Sequence, residues 1–193
     1  GVVRHHVLVR VLLALPLHDD GDALRVEPAP AVLRPAARRV GETRGRESTE
    51  HRAGTCIFND RMMIAAGVAQ VEDCALRIFT SVVSRAGENR GILDAGSKTF
   101  TSDQGGLEGY GLILEHPKAQ IHKMAEEHGF LELSECHKRP EIGDIVRVVP
   151  NHVCVVVNMF DELVVVSDNR IVDVLSVEAR GRVRRKFPIK SEK

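Results

Sequence analysis

Short runs of apolar, often β-branched residues recur along the chain from residue 55 onward, with polar or glycine-rich stretches between them. Side chains alternate between two faces of a strand, and apolar runs of four to eight residues are typical of strands. The longest run, at 73–84, carries Leu, Ile, Phe and paired Val and predicts a long strand. Other segments of the same pattern are predicted as strands at 56–58, 92–102, 145–149, 154–159, 163–167 and 171–174.

Turn residues separate these segments. Residues 87–91 predict a hairpin turn, and Asp161-Glu162 and Asp168-Asn169 predict two more. The glycines at 105–106 and 109–111 predict a loop, since they lack the strand and helix that flank a phosphate cradle. Segment 121–128 is compatible with a helical turn or a strand. The regular spacing of short strands predicts a mainly β fold, a compact barrel or sandwich with few short helices.

Residues 1–48 differ in kind, being rich in Arg, Ala, Val and Pro. Prolines interrupt any long helix there, and Leu8–Leu15 fits either a strand or a helical turn. The charged stretch 38–50 is expected to be mobile. The apolar stretch 7–17 is too short to cross a bilayer and contains Arg10. We therefore divide the chain into an irregular leader at 1–48 and a β domain at 49–193, with no membrane partner.

The net charge and the cysteine spacing limit the expected binding partners and the expected cellular compartment. The 27 basic and 27 acidic side chains give a formal net charge of zero, so nucleic acid is not an expected partner. The four cysteines show neither a C-x-x-C pair nor the spacing of a disulfide framework. A reducing, cytoplasmic compartment is the corresponding expectation.

One pair of residues indicates metal chemistry. His152 and Cys154 stand two positions apart in a predicted strand, where they would project from the same face. An imidazole and a thiolate form half of a tetrahedral zinc site, and the open positions suit a catalytic metal better than a structural one. The alternative is a buried Cys beside a His that bonds to the backbone.

A series of short segments between about residues 50 and 181 resembles the C-terminal domain of the D-serine dehydratase and D-threonine aldolase family, pyridoxal-phosphate enzymes related to alanine racemase. The matching segments are Arg52–Asp60, Thr80–Arg85, Ile92–Lys98, Ser102-Asp103, Glu108–Gly111, Glu126–Gly129, Gly143-Asp144, Pro150–Cys154 with Asn158, and Ala179–Gly181. Their order along the chain makes the resemblance specific. In this family the leader corresponds to the end of a (β/α)8 barrel.

The resemblance implies roles for individual residues. Arg52, Gly54 and Thr55 would either approach pyridoxal phosphate or form a plain strand end, and His152 and Cys154 would bind zinc. The family's Schiff-base lysine lies on the first barrel strand, whereas this chain has no Lys before Lys98. Because Lys98 is not in that position, we interpret it as a surface lysine. We therefore leave the catalytic residue unassigned and expect pyridoxal phosphate to bind only together with the missing barrel.

The implied function is that of the metal-binding domain of a zinc- and pyridoxal-phosphate-dependent D-amino-acid lyase, inactive alone. Cys154 favours the dehydratase branch, which eliminates water and ammonia from β-hydroxy D-amino acids, because aldolase-like members carry Asp there. The alternatives are a D-threonine aldolase-type lyase and a non-catalytic β-barrel that binds a metal or a partner. The expected ligand is a small D-amino acid, and a homodimer stays open.

Three further groups carry weaker expectations. Asp103 either anchors a turn or reaches the mouth of the active site, and the turn is favoured. His128 either orients a metal ligand or belongs to a solvated charged turn. The Arg-rich tail from Arg180 to Lys186 is expected to be a solvated terminus.

Overall fold

The computed structural model describes residues 10–14, 54–168 and 170–182. They form nine strands, three short α-helices and one 3-10 helix at Thr55–Ile57. The strands are β1 Arg10–Ala14, β2 Leu76–Arg85, β3 Arg90–Leu93, β4 Leu112–Ile113, β5 Gln120–Met124, β6 Gly129–Glu132, β7 Ile145–Val149, β8 Glu162–Ser167 and β9 Arg170–Ser176. The helices are α1 Arg61–Ala65, α2 Ser97–Phe100 and α3 Val153–Val157.

The strands form one sheet that is organised around β2. Its main path runs β5-β6-β3-β2-β1-β8-β9, and β7 pairs with both β2 and β4. The first half of β2 pairs with β1 and β7, and its second half pairs with β3. The register shifts between Val82 and Ser84, where such an irregularity bends a strand. All pairings are antiparallel except that between β1 and β8.

The core lies on the inward face of this curled sheet. Leu76, Ile78, Thr80 and Val82 alternate with less buried residues along β2, as expected for a strand with one covered face. Leu93, Leu131 and Val148 of the neighbouring strands are almost completely buried against them. The mainly β fold predicted from the sequence is confirmed.

The structure corrects three of the predicted strands. The return strand ends at Leu93 and is followed by α2, while the apolar run at 56–58 belongs to the 3-10 helix and the turn after it. Segment 154–159 is a helix and its turn, because α3 extends over Val153–Val157. By contrast, the strand predicted at 145–149 is found with the same bounds, and the open segment 121–128 begins as β5.

The helix at α3 arises from tertiary contacts that override the β preference of its valines. The backbone N–H of Val153 donates to the Asp60 carboxylate at 2.9 Å, which fixes the first turn. Val153 and Val156 are buried, and residues three apart share one face of a helix. Packing of this face against the sheet therefore decides the local structure.

The described part of the leader, residues 10–14, is a strand, and the rest of the segment predicted at Leu8–Leu15 lies outside the described residues. Its backbone, Arg10–Ala14, pairs with β2 on one side and with β8 on the other. The boundary proposed at residue 48 falls outside the described residues and stays a prediction. Within the described ranges, no helix reaches the length and apolar character needed to cross a bilayer.

Candidate functional site

His152 is held at the entrance to α3. It is the N-cap residue of that helix, with an extended backbone at φ −135° and ψ 104°. Its Nδ1 lies 2.6 Å from Oδ2 of Asp103. This hydrogen bond is the main cause of a pKa below the usual value for the Asp103 carboxyl. Because an ionised carboxylate can only accept a hydrogen bond, Nδ1–H of His152 is the donor. Nε2 is consequently the ring nitrogen left for another partner.

Asp103 also anchors its own loop. Its Oδ1 accepts a hydrogen bond from the backbone N–H of Gly105 at 2.9 Å, which is the turn role favoured from the sequence. The second carboxylate oxygen contacts His152, so the same side chain also reaches the candidate site. The two roles are compatible because a carboxylate has two acceptor oxygens.

Cys154 lies in the first turn of α3 with its side chain exposed. Its sulfur is 3.3 Å from the hydroxyl oxygen of Thr55, which is 99 positions away in the chain. A side chain added at Gly54 would place its Cβ 4.0 Å from the same sulfur. The structure therefore brings two predicted cofactor-binding residues next to a predicted metal ligand. Arg52, the third cofactor-binding residue, lies outside the described residues.

The sequence predicted that His152 and Cys154 project side by side from a strand, and this prediction is wrong. His152 has an extended backbone before α3, whereas Cys154 belongs to the helix. Their directions are therefore set by the start of a helix, where residues two apart do not share a face.

Asp60 is a site residue that the sequence analysis missed. Its side chain is fully buried and accepts from the backbone N–H of Met63 at 3.0 Å and of Val153 at 2.9 Å. It thus caps α1 and α3 at once. Burial raises the pKa of the Asp60 carboxyl, and the two backbone donors oppose that shift. An Asp directly before Arg61–Ala65 is a helix N-cap signal, but nothing local indicates its contact with Val153.

Asn151 connects the glycine-rich loop to the same region. It is 3% exposed, and its amide nitrogen donates to the carbonyls of Gln104 at 3.1 Å and Gly109 at 2.8 Å. Its amide oxygen accepts from Arg61 Nη1 at 3.1 Å. The loop that carries Asp103 is therefore fixed to the residue that precedes His152. A buried polar side chain whose hydrogen bonds are all satisfied makes the surrounding structure rigid.

Two other residues singled out in the sequence lie elsewhere. Lys98 Nζ pairs with Glu126 at 2.9 Å and Glu127 at 2.7 Å, and 56% of its side chain is exposed, as expected for a surface lysine. His128 belongs to the turn between β5 and β6, where its carbonyl accepts from Ala125. Its position is that of the charged turn.

The site offers two donors that suit zinc, the Nε2 atom of His152 and the Cys154 sulfur. Across the described ranges, no group of three or more His, Cys, Asp or Glu side chains is arranged to hold a metal ion. A carboxylate on the far nitrogen of a ligating His is the usual arrangement in metal sites, and Asp103 occupies that position. The donor chemistry thus fits a metal with positions left for other ligands.

Comparisons with known proteins agree with these features. A family model described as "Putative serine dehydratase domain" matches residues 75–166. Uncharacterized protein Rv1414 of Mycobacterium tuberculosis is 34% identical over 131 residues, which cover 65% of this chain and 98% of that protein. D-threonine aldolase of Arthrobacter sp. is 33% identical over 107 residues, which cover 55% of this chain and 27% of the aldolase.

Solved structures share the fold. An alanine racemase-like protein of Idiomarina loihiensis superimposes with a TM-score of 0.60 at 23% identity, over 65% of this chain and 37% of that protein. D-threo-3-hydroxyaspartate dehydratase of Delftia sp. HT23 gives 0.58 at 26% identity, over 65% of this chain and 38% of the dehydratase. Other solved forms of D-threo-3-hydroxyaspartate dehydratase carry a His-to-Ala and a Cys-to-Ala substitution two positions apart, and the solved form of the Cys variant is a metal-free form.

The extent of these matches differs between relatives. The chain spans nearly the whole mycobacterial protein but 27% of the aldolase and 38% of the dehydratase. The family match at 75–166 agrees with the ordered sequence segments and with the β fold, since all three indicate the same family. The chain belongs to the serine dehydratase domain family, with D-serine dehydratase and D-threonine aldolase among its relatives.

Proposed function

We propose that this chain provides the metal-binding domain of a pyridoxal-phosphate- and zinc-dependent lyase that eliminates water and ammonia from β-hydroxy D-amino acids. The observation that carries the proposal is the 3.3 Å contact between the Thr55 hydroxyl and the Cys154 sulfur. It joins a residue on the proposed cofactor side to a residue on the proposed metal side. A lyase of this kind needs both pyridoxal phosphate and zinc next to the same substrate molecule.

His152 and Cys154 are the proposed zinc ligands. The bond from Nδ1 to Asp103 fixes the imidazole and leaves Nε2 for the metal. The Cys154 thiol is exposed and so open to a metal and a substrate at once. The His and Cys substitutions in the related dehydratase, two positions apart like His152 and Cys154, support the assignment.

The residues of the chain have separate tasks in this proposal. Asp103 orients His152, Thr55 hydrogen-bonds with the Cys154 sulfur, and Asp60 fixes the start of α3. Gly54 and Thr55 would face pyridoxal phosphate. Zinc would polarise the β-hydroxyl as a leaving group, and pyridoxal phosphate would stabilise negative charge at the α-carbon. The lysine that would bind pyridoxal phosphate is not assigned to any residue.

Cys154 favours the dehydratase branch over the aldolase branch. Thiolate is a soft ligand that suits zinc, whereas a carboxylate at this position would suit harder ions such as manganese. The 33% identity to D-threonine aldolase keeps retro-aldol cleavage as an alternative within the same family.

A second candidate is a metal-binding β domain without catalysis. It is supported by the mycobacterial relative, which this chain matches over 98% of its length, so that the matched region makes up nearly all of that protein. In this case His152 and Cys154 would bind zinc, but no substrate would be turned over.

The experiment is a substrate comparison with the full chain joined to a lysine-bearing barrel half, in the presence of pyridoxal phosphate and zinc. Pyruvate and ammonia from D-serine would be measured against glycine and acetaldehyde from D-threonine. We expect elimination to dominate and to be lost in Cys154→Ala. Dominant glycine formation would assign the chain to the aldolase branch. Zinc binding without turnover of either substrate would favour the non-catalytic domain.

A further inference from the structure

Two segments of the family resemblance that lie apart in the chain meet at the end of α3. Nε of Arg180, from the Ala179–Gly181 segment, donates to the carbonyl oxygen of Asn158 at 3.0 Å. Asn158 is the C-cap residue of α3. Arg180 Nη1 also forms an ion pair with Asp161, in the turn that follows. The Arg180 side chain is exposed, as predicted for this tail, but these two contacts hold it in place. Residues 183–186 of the predicted tail lie outside the described residues.

The backbone around Arg180 is held in the same place. The N–H of Val177 donates to the Asp161 carbonyl at 2.8 Å, and the N–H of Arg180 donates to the Val177 carbonyl at 3.0 Å. The chain beyond β9 therefore folds back over the turn between α3 and β8. The guanidinium of Arg180 thus contacts the Asn158 carbonyl and the Asp161 carboxylate together. Two such contacts suit arginine, whose planar guanidinium has several N–H donors in a fixed geometry.

α3 needs such support, since a helix of five residues is far too short to be stable by itself. The carbonyls of Val156 and Val157 accept from the backbone N–H groups of Met159 and Phe160 in the next turn. The carbonyl of the C-cap residue Asn158 accepts from the Arg180 side chain, as basic side chains near a helix C-terminus can do. Asp60 secures the first turn through Val153, and Arg180 secures the last through Asn158. Cys154 lies between these two contacts.

We propose that Arg180 is a positioning residue for Cys154, fixing α3 so that the thiolate and the His152 imidazole converge on one metal ion. This inference rests on the proposed zinc site. The ion pair with Asp161 is exposed and contributes little to the free energy of unfolding. The proposed effect of Arg180 is therefore on the orientation of α3 and not on overall stability.

The test compares zinc affinity and Cys154 labelling in the full-length protein and three variants. Arg180→Ala removes both contacts, and Arg180→Lys keeps the charge but not the fork. Arg182→Ala is the matched control, since among described residues Arg182 side-chain contacts go to Glu178, by a hydrogen bond to its carbonyl and an ion pair at 3.9 Å. Melting temperature and circular dichroism report on the fold of each variant.

We expect Arg180→Ala to weaken zinc binding about tenfold, as is common when a residue that supports a metal ligand is lost. Arg180→Lys should recover part of the affinity, and Arg182→Ala should match the unsubstituted protein. An unchanged zinc affinity in Arg180→Ala, or an equal loss in Arg182→Ala, would overturn the proposal. If Arg180→Ala does not fold, the same criteria apply to Arg180→Lys.

The labelling rate of Cys154 with iodoacetamide in metal-free protein separates this proposal from the zinc site itself. Failure of the unsubstituted protein to bind zinc would refute the proposed function. A Cys154 rate altered in Arg180→Ala but not in Arg182→Ala would still support positioning. Equal rates in the two variants and the unsubstituted protein would refute it.

Discussion

Cys154 differs from the other three cysteines in its exposure. Cys74 and Cys136 are buried, and Cys56 is half-buried. Burial raises the pKa of Cys74 to about 11 and raises the pKa of Cys136 as well. Since the thiolate is the reactive form, burial and a raised pKa both make Cys74 and Cys136 poorly reactive in the folded protein.

This difference predicts selective labelling. At pH 8, below the pKa of Cys74, iodoacetamide should modify Cys154 first, and Cys74 and Cys136 only after unfolding. Zinc in stoichiometric amount should slow the reaction at Cys154 and leave Cys56 unaffected. Peptide mapping by mass spectrometry measures all four sites in one sample. Equal reaction of Cys74 and Cys154 in folded protein would contradict the structure.

Individual residues of the site were predictable to different degrees. Thr55, His152 and Cys154 belong to segments that resemble a family, and the first and last of them are in contact. Asp60 lies in such a segment too, but its contact with Val153 spans 93 positions and leaves no local pattern. The second contact of Asp103, with His152, is likewise formed only by the folded chain.

At the scale of elements, α3 shows where periodicity misleads. Consecutive valines favour a strand, yet capping by Asp60 and burial of Val153 and Val156 produce a helix. In β2 the alternation of apolar residues agrees with the tertiary structure, so the strand was predictable. Short segments are decided by their neighbours, whereas long ones carry enough periodicity to decide for themselves.

Asp60 provides a test at this scale. Asp60→Asn replaces one carboxylate oxygen by an NH2 group, which cannot accept from a backbone N–H. The free energy of unfolding should fall by about 1–3 kcal/mol, because a buried donor at α1 or α3 loses its partner. Urea denaturation measures the change.

Asp161→Asn is a suitable control, since that side chain is 83% exposed and caps no helix start. It should change the free energy of unfolding by well under about 1 kcal/mol. An Asp60→Asn protein as stable as this control would show that the buried carboxylate does not hold the two helices.

At the scale of the whole molecule, the sequence predicted a mainly β domain because its strands are short, regular and separated by clear turns. It did not predict which strands would pair. β1 lies between β2 and β8 although more than 60 residues separate it from either. Such long-range pairing depends on complementary surfaces rather than on any local signal.

The proposed function requires a metal ion held by His152 and Cys154, which the fold places around the start of α3. Asp103 holds one ligand, Thr55 contacts the other, and Asp60 fixes the backbone between them. If these contacts serve a zinc site, removal of either ligand should abolish binding while the β domain stays folded.

Zinc content is therefore the most direct measurement. Purified protein is saturated with zinc, dialysed and analysed by mass spectrometry of the metal, beside His152→Ala, Cys154→Ala and the control His128→Ala. We expect about one zinc per chain in the unsubstituted protein and in His128→Ala, and almost none in the two ligand variants. Equal zinc in all four folded proteins, or none in the unsubstituted protein, would contradict the account.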